Sequence, residues 1–265
     1  MSSRRHNYKI RKSMNENVII CDDCLEVMKD WPDGCVDLVV TSPPYNVGGK
    51  NLGYQPRSKV GQKHYGEYSD NMTADDYVEW IYTVLRECLR ISRYVFCNMQ
   101  YTASTKLCIS EIMPRFYDNM KDVFIWEKQA VAQIQPGCLA NGFEFVFLLG
   151  QDNTKRFWPN NFPSNGYVPN RQTWYKTESF PEHHATFPQT LPAYFVEYFT
   201  QKNDIVADVF DGVGTTCVAA KMLGRRYIGI DISPEYCQIA RDRLRAVDTG
   251  VPVKEARAGQ AALFE

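Results

Sequence analysis

Short apolar runs alternate with amphipathic segments along most of this chain. Over residues 16–46 the pattern reads as a strand (NVIIC), a helix (CLEVMKDW), a turn at Pro32-Asp33-Gly34, and a buried strand from Val36 to Val40 that runs into TSPPYN. Residues 73–92 repeat with helical period and open on Thr73 with acids just after it, which marks a helix N-terminus. Strands are expected at Tyr94–Asn98, Asp122–Glu127 and Phe143–Leu149, with a helix between the first two. Helical character returns over 187–200, and Asp204–Phe210 is an apolar strand leading into DGVGTT. A helix (Thr215–Leu223), a strand (Tyr227–Ile230) and a helix (Pro234–Leu244) complete a second β-α-β-α run. Such alternation predicts an α/β fold on a doubly wound, mostly parallel sheet.

Two stretches break the pattern. Residues 47–72 are glycine-rich and polar, and between 50 and 66 they carry Lys50, Arg57, Lys59 and Lys63 with no acid, as expected of a mobile basic loop. Residues 151–182 are dominated by Asn, Pro, Gly, Trp and Tyr, with Lys155, Arg156, Arg171 and Lys176 among them, and read as an irregular insertion without a core of its own. Residues 1–14 and 248–265 are weakly patterned and are expected to be flexible termini. At 265 residues the chain suits one large α/β domain with an embellishment.

Composition narrows the function classes. No apolar run approaches the roughly 18 residues of a bilayer span, and the basic N-terminal arm lacks the apolar core of a secretory leader. The net charge of −1 excludes a general polycation, so any nucleic-acid contact must be local. The nine cysteines are scattered through strands and helices rather than spaced as a disulfide framework, which points to reduced thiols in a cytoplasm. Cys21-x-x-Cys24 would need two further ligands to hold zinc, with only His183 and His184 as adjacent candidates, and no metal is expected.

Two motifs carry chemistry. Asp208-Val-Phe210-Asp-Gly212-Val-Gly214-Thr215-Thr lies between a strand and a helix, and Asp231 ends the next strand, 17 residues after Gly214. Glycines let backbone approach a ligand, the helix N-terminus receives a carboxylate, and an acid ending the next strand grips ribose hydroxyls, so the pattern describes a nucleoside site. Cys217 stands where a dinucleotide fingerprint has its third glycine, which counts against NAD. The second motif is Thr41-Ser42-Pro43-Pro44-Tyr45-Asn46, after an apolar strand whose carboxyl end is where open parallel sheets bind ligands. Two prolines remove backbone donors and leave carbonyl acceptors, Ser42 adds another, and Tyr45 adds an aromatic face. Together they suit a planar molecule bearing an amino group.

S-P-P-Y after one apolar strand and F-x-G-x-G-T-T after another resemble the amino-methylating DNA methyltransferases that modify N4 of cytosine or N6 of adenine. Because the tetrapeptide comes first, the order resembles the permuted beta group. Asp23-Cys24-Leu25-Glu26, Phe143-Glu144-Phe145, His183 to Pro188, and Gly229-Ile-Asp231 extend the resemblance over residues 18–245. Three positions depart from it: His184 replaces a proline, and Val209 and Asp211 replace a proline and a small residue beside the glycines.

The resemblance implies a Rossmann-like methyltransferase core, S-adenosylmethionine as cofactor with S-adenosylhomocysteine as product, and double-stranded DNA as substrate. It implies catalysis by Ser42, Pro43, Pro44 and Tyr45. The implied cofactor set has Asp208, Phe210, Gly212 and Gly214 around the methionine portion, Thr186 and Phe187 near it, Asp231 on the ribose and Asp23 on the adenine, with Cys24, Thr41 and Thr215 completing it. No cysteine need be catalytic, and Cys97 and Cys138 read as packing. The basic loop and the 151–182 insertion are the expected DNA contacts, the latter for target recognition. Serine at position 42 is commoner among the cytosine enzymes of this family, so N4 of cytosine is the expected target and N6 of adenine the alternative. An RNA or protein-glutamine acceptor is a weaker alternative, since glutamine enzymes carry N-P-P-Y after the glycine loop. A scaffold that has lost catalysis is the alternative from another class. Relatives in the permuted group are often dimers, and in restriction-modification systems of prokaryotes or phages a cognate endonuclease accompanies them.

Overall fold

The computed structural model of the chain describes residues 15–46, 72–128, 142–151, 169–173 and 187–250. Lys50, Arg57, Lys59, Lys63, Cys138, Lys155, Arg156, Lys176, His183, His184 and Thr186 lie outside the described residues, as do both expected flexible termini except 248–250.

Eight strands form one sheet: β1 (Val18–Cys21), β2 (Val36–Thr41), β3 (Ser92–Met99), β4 (Met120–Glu127), β5 (Phe143–Gly150), β6 (Arg171–Thr173), β7 (Ile205–Asp208) and β8 (Arg226–Asp231). Six helices accompany them: α1 (Cys24–Met28), α2 (Ala74–Ile91), α3 (Lys106–Arg115), α4 (Thr190–Phe199), α5 (Thr215–Met222) and α6 (Pro234–Thr249). The strand order is β1-β8-β7-β2-β3-β5-β4-β6, and only β5 runs against its neighbours. The expected doubly wound, mostly parallel sheet is therefore present.

Successive side chains of a strand point to opposite faces, so a strand covered on both sides must be apolar throughout. On β3, Val95, Cys97 and Met99 pack on one face with Tyr77, Ile81 and Leu85 of α2, while Tyr94 and Phe96 pack on the other with Phe195 and Phe199 of α4. Phe96 and Phe195 stack with ring centroids 4.0 Å apart.

Several boundaries differ from those the pattern predicts, each for a local reason. Helix α1 stops at Met28 instead of running to Trp31, which precedes Pro32 and is steered out of helical backbone. Arg90 holds the carbonyls of this turn, donating to Trp31 O at 2.6 Å and to Met28 O at 2.7 Å, where Trp31 N also donates at 3.0 Å. Strand β7 ends at Asp208, whose carboxylate accepts the Phe210 N–H at 3.0 Å and turns the chain. Helix α6 continues beyond Leu244 to Thr249 and stops at Gly250, whose φ of 68° is left-handed. The insertion also contains a strand: β6 adds to the edge of the sheet through backbone pairing with β4, and three residues carry too little periodicity to announce it.

Candidate active site

A cleft of about 950 Å³, counted to its open mouth, lies at the carboxyl ends of β1, β2, β7 and β8. Its wall brings together both motifs: Ser42, Pro43, Pro44 and Tyr45 with Phe210, Gly212, Thr215 and Asp231, joined by Asp23, Cys24 and Phe187. Asp22, Trp80, Asp211, Ile232 and Tyr236 also line it. Trp80 comes from the middle of α2 and meets Phe210 at 5.4 Å between ring centroids, so an aromatic wall is built from two distant parts of the chain.

The glycine loop takes its shape from glycine φ values and side-chain clamps. Gly212 (φ 53°) and Gly214 (φ 82°) are left-handed. A Cβ on Gly214 would lie 2.8 Å from Ala240 Cβ of α6. The loop is tied down by Asp231, which accepts from Gly212 N and Ser233 N at 2.8 Å each, and by Arg243, which donates to Val213 O at 2.7 Å and Thr215 Oγ1 at 3.1 Å.

Thr41, Asp208 and Gly214 do not line the cleft; they sit behind it. Asp208 is buried and accepts from Thr41 Oγ1 at 2.6 Å, Thr216 Oγ1 at 2.7 Å and Phe210 N, which links the ends of β2 and β7. Burial pushes its carboxyl up to about 6 in spite of these donors. Asp23 is the N-cap of α1, its Oδ1 accepting from Leu25 N at 2.8 Å and Glu26 N at 3.3 Å. Asp211 is buried with no N–H or O–H on either carboxylate oxygen among the described residues. Burial, then the charges of Asp208 and Asp231, push it well above the usual carboxylate range, against the weak donor of the Cys217 thiol.

The TSPPYN loop is held from below. Pro44 O accepts from Tyr77 Oη at 2.9 Å and Tyr45 O from Ser104 Oγ at 2.7 Å, while Pro43 O has no partner among the described residues. The Asn46 side chain brackets Met72 with two bonds of 2.9 Å. Tyr45 turns its hydroxyl inward, where it donates to Glu144 Oε2 at 3.0 Å and lies 3.2 Å from both Ser42 Oγ and Asn98 Nδ2. Glu144 also receives Asn98 Nδ2 at 2.6 Å and Lys128 Nζ at 2.5 Å. Neither Asn98 nor Glu144 was assigned to the site from sequence; the available signal was a carboxylate inside the apolar run of β5.

Burial pushes the Cys24 thiol up to about 12 and raises Cys97, so both stay protonated and poorly nucleophilic. Arg171 is exposed on β6 and pairs with Glu127 at 2.5 Å, away from the cleft. Among the described residues no three His, Cys, Asp or Glu side chains gather as metal ligands, and no helix is long and apolar enough to cross a membrane.

Known proteins resemble this chain in sequence and in fold. Over 245 residues, 85% of this chain and 73% of the relative, it is 24% identical to the type II methyltransferase M.HpaI of Haemophilus parainfluenzae. It is 28% identical to the putative methylase YubD of Escherichia coli K12 over 85% of this chain and 88% of that one. The solved PvuII DNA methyltransferase (cytosine-N4-specific) superposes with a TM-score of 0.66 at 18% identity, covering 91% of this chain and 90% of that one. The model of the N6/N4 DNA methylase family matches residues 36–242, from the strand that presents Ser42 to the helix that packs on Gly214, and the chain belongs to that family.

Proposed function

We propose that this protein transfers a methyl group from S-adenosylmethionine to the exocyclic amino group of a base flipped out of double-stranded DNA, with N4 of cytosine as the preferred target. The observation that carries the reading is that the acceptor-rich Ser42–Tyr45 loop and the nucleoside-type Gly212–Asp231 wall face one cleft.

The residues present suit the cofactor. Asp231, already fixed by two backbone N–H groups, has further lone pairs for ribose hydroxyls, and Asp23 and Cys24 form the adenine end. Phe210, Gly212, Thr215 and Phe187 border the methionine side, while Thr41, Asp208 and Gly214 hold the loop from behind. When bound, S-adenosylmethionine supplies a methyl group on a positively charged sulfur.

Extruding a base from a duplex costs a few kcal/mol, which stacking on the Tyr45 ring offsets by roughly 1–3 kcal/mol. Ser42 Oγ and Pro43 O accept hydrogen bonds from the amino nitrogen. These bonds hold the nitrogen pyramidal and aim its lone pair for in-line displacement, so the chain contributes orientation and electrostatics without a covalent adduct.

Mass spectrometry of nucleosides from duplex DNA of varied sequence, incubated with the protein and S-adenosylmethionine, tests the reading. N4-methylcytosine is the expected product. N6-methyladenine would transfer the assignment to adenine, and neither modified base would overturn it.

A further inference from the structure

We propose that Glu144 is a positioning residue that sets the direction of a hydroxyl chain ending at Ser42, so that the site accepts an amino base and rejects a keto base. The proposal rests on the base-binding reading of the Ser42–Tyr45 loop given above.

Counting protons gives the direction. Glu144 is buried, and its carboxylate is bonded by Lys128 Nζ on Oε1 and by Asn98 Nδ2 and the Tyr45 hydroxyl on Oε2. A carboxylate only accepts, so the single proton of the Tyr45 hydroxyl is committed to it. The orientation of the Asn98 amide is likewise forced. Its two N–H bonds go to Glu144 and Tyr45, and its Oδ1 is left buried without a partner among the described residues, because turning the amide over would set oxygen against carboxylate. In the 3.2 Å contact between Ser42 Oγ and Tyr45 Oη, Tyr45 has no proton left to give, and Ser42 must be the donor.

The Ser42 proton thus points down toward Tyr45, and its lone pairs face the cleft that Ser42 lines. With Pro43 O beside it, the loop offers two acceptors to a group in the cleft. An amino group satisfies both, whereas a keto oxygen would meet lone pairs with lone pairs and be left unpaired in a desolvated site. Serine at this position could donate as readily as accept; the carboxylate two bonds away removes that choice.

Glu144→Gln keeps the shape but can present an amide N–H to Tyr45. The chain can then run in reverse, with Tyr45 donating to Ser42 and Ser42 donating into the cleft. The test uses two duplexes carrying the sequence found to be methylated, identical except that the target base is cytosine in one and uracil in the other. If the product assay identifies adenine, adenine and hypoxanthine take their places. Binding is measured by fluorescence anisotropy with saturating S-adenosylhomocysteine. Pairing differences between the duplexes cancel, because variants are compared on the same two.

The amino-to-keto affinity ratio is expected to fall about tenfold from wild type to Glu144→Gln, with S-adenosylhomocysteine affinity unchanged. Tyr45→Phe, which removes the relaying hydroxyl and leaves Glu144 in place, should lower the ratio similarly and serves if Glu144→Gln does not fold. In a Ser42→Ala background Glu144→Gln should lower it no further. A wild-type ratio in both Glu144→Gln and Tyr45→Phe, or an equal fall with and without Ser42, would overturn the proposal. Failure of the underlying reading is separable, since then the wild-type protein methylates neither base.

Discussion

The two walls of the cleft bury carboxylates in opposite ways. Beneath the TSPPYN loop, Glu144 is met by Lys128, Asn98 and Tyr45, so its charge is paired and its lone pairs are used. Beneath the glycine loop, Asp208, Asp211 and Asp231 crowd together with Arg243 as the nearby cation, and that guanidinium bonds Val213 O and Thr215 instead of Asp211. Buried charge that is paired orients its neighbours, and buried charge that is not paired shifts its protonation. The wall beneath the TSPPYN loop is thereby built for fixed geometry and the wall beneath the glycine loop for response to pH. A carboxyl whose folded pKa lies above its unfolded value holds its proton more tightly in the fold. Its stabilising contribution is complete below about pH 4 and is lost as pH rises through the folded value, which is about 6 for Asp208 and likewise raised for Asp211.

Four changes break or sharpen this contrast. The largest effect is expected for Gly229→Ala, because a Cβ there would overlap the Asp211 carboxylate and lie 2.7 Å from Ile19 Cδ1. A loss of about 3 kcal/mol in urea unfolding is expected, partly recovered by Asp211→Ala in the same chain; full stability of the single variant would show that the carboxylate is not packed there. Tyr45→Ala should lower turnover roughly 10- to 100-fold in a methyl-transfer assay, with a much smaller change in cofactor affinity; parental turnover would remove Tyr45 from the base site. Asp211→Asn should flatten the fall in stability as pH rises above about 4, and leave stability below that pH unchanged. An unchanged pH profile by chemical denaturation would refute the account of the glycine wall. The smallest effect belongs to Arg171→Ala. Its ion pair with Glu127 is exposed and solvent-screened, so the thermal midpoint should stay at the wild-type value, and a clear drop would mean that the pair anchors β6.

Much of the scaffold was legible because it depends on near neighbours in sequence. Periodicity marked most of the strands and helices, Thr73 is a local cap, and the glycine and proline motifs announce the conformations they need. Their order along the chain also sufficed to place both motifs at the carboxyl edge of a parallel sheet. Strand direction was not legible: β5 has the same apolar run as its neighbours yet lies antiparallel, and β6 exists only through pairing with β4.

The site divides in the same way. Sequence alone indicated residue types suited to a nucleoside and an amino group, and that Ser42 and Asp231 lie at the carboxyl ends of strands of one sheet. Only the tertiary structure decided that Asp208 faces the interior while Asp231 faces the cleft, because a side chain's face depends on where the strand meets its neighbours. It likewise decided that Asn98 and Glu144 meet at the Tyr45 hydroxyl while Lys128 pairs with Glu144, since they come from β3, β5 and the residue after β4, and hydrogen bonds between such distant segments leave no spacing in the chain to read.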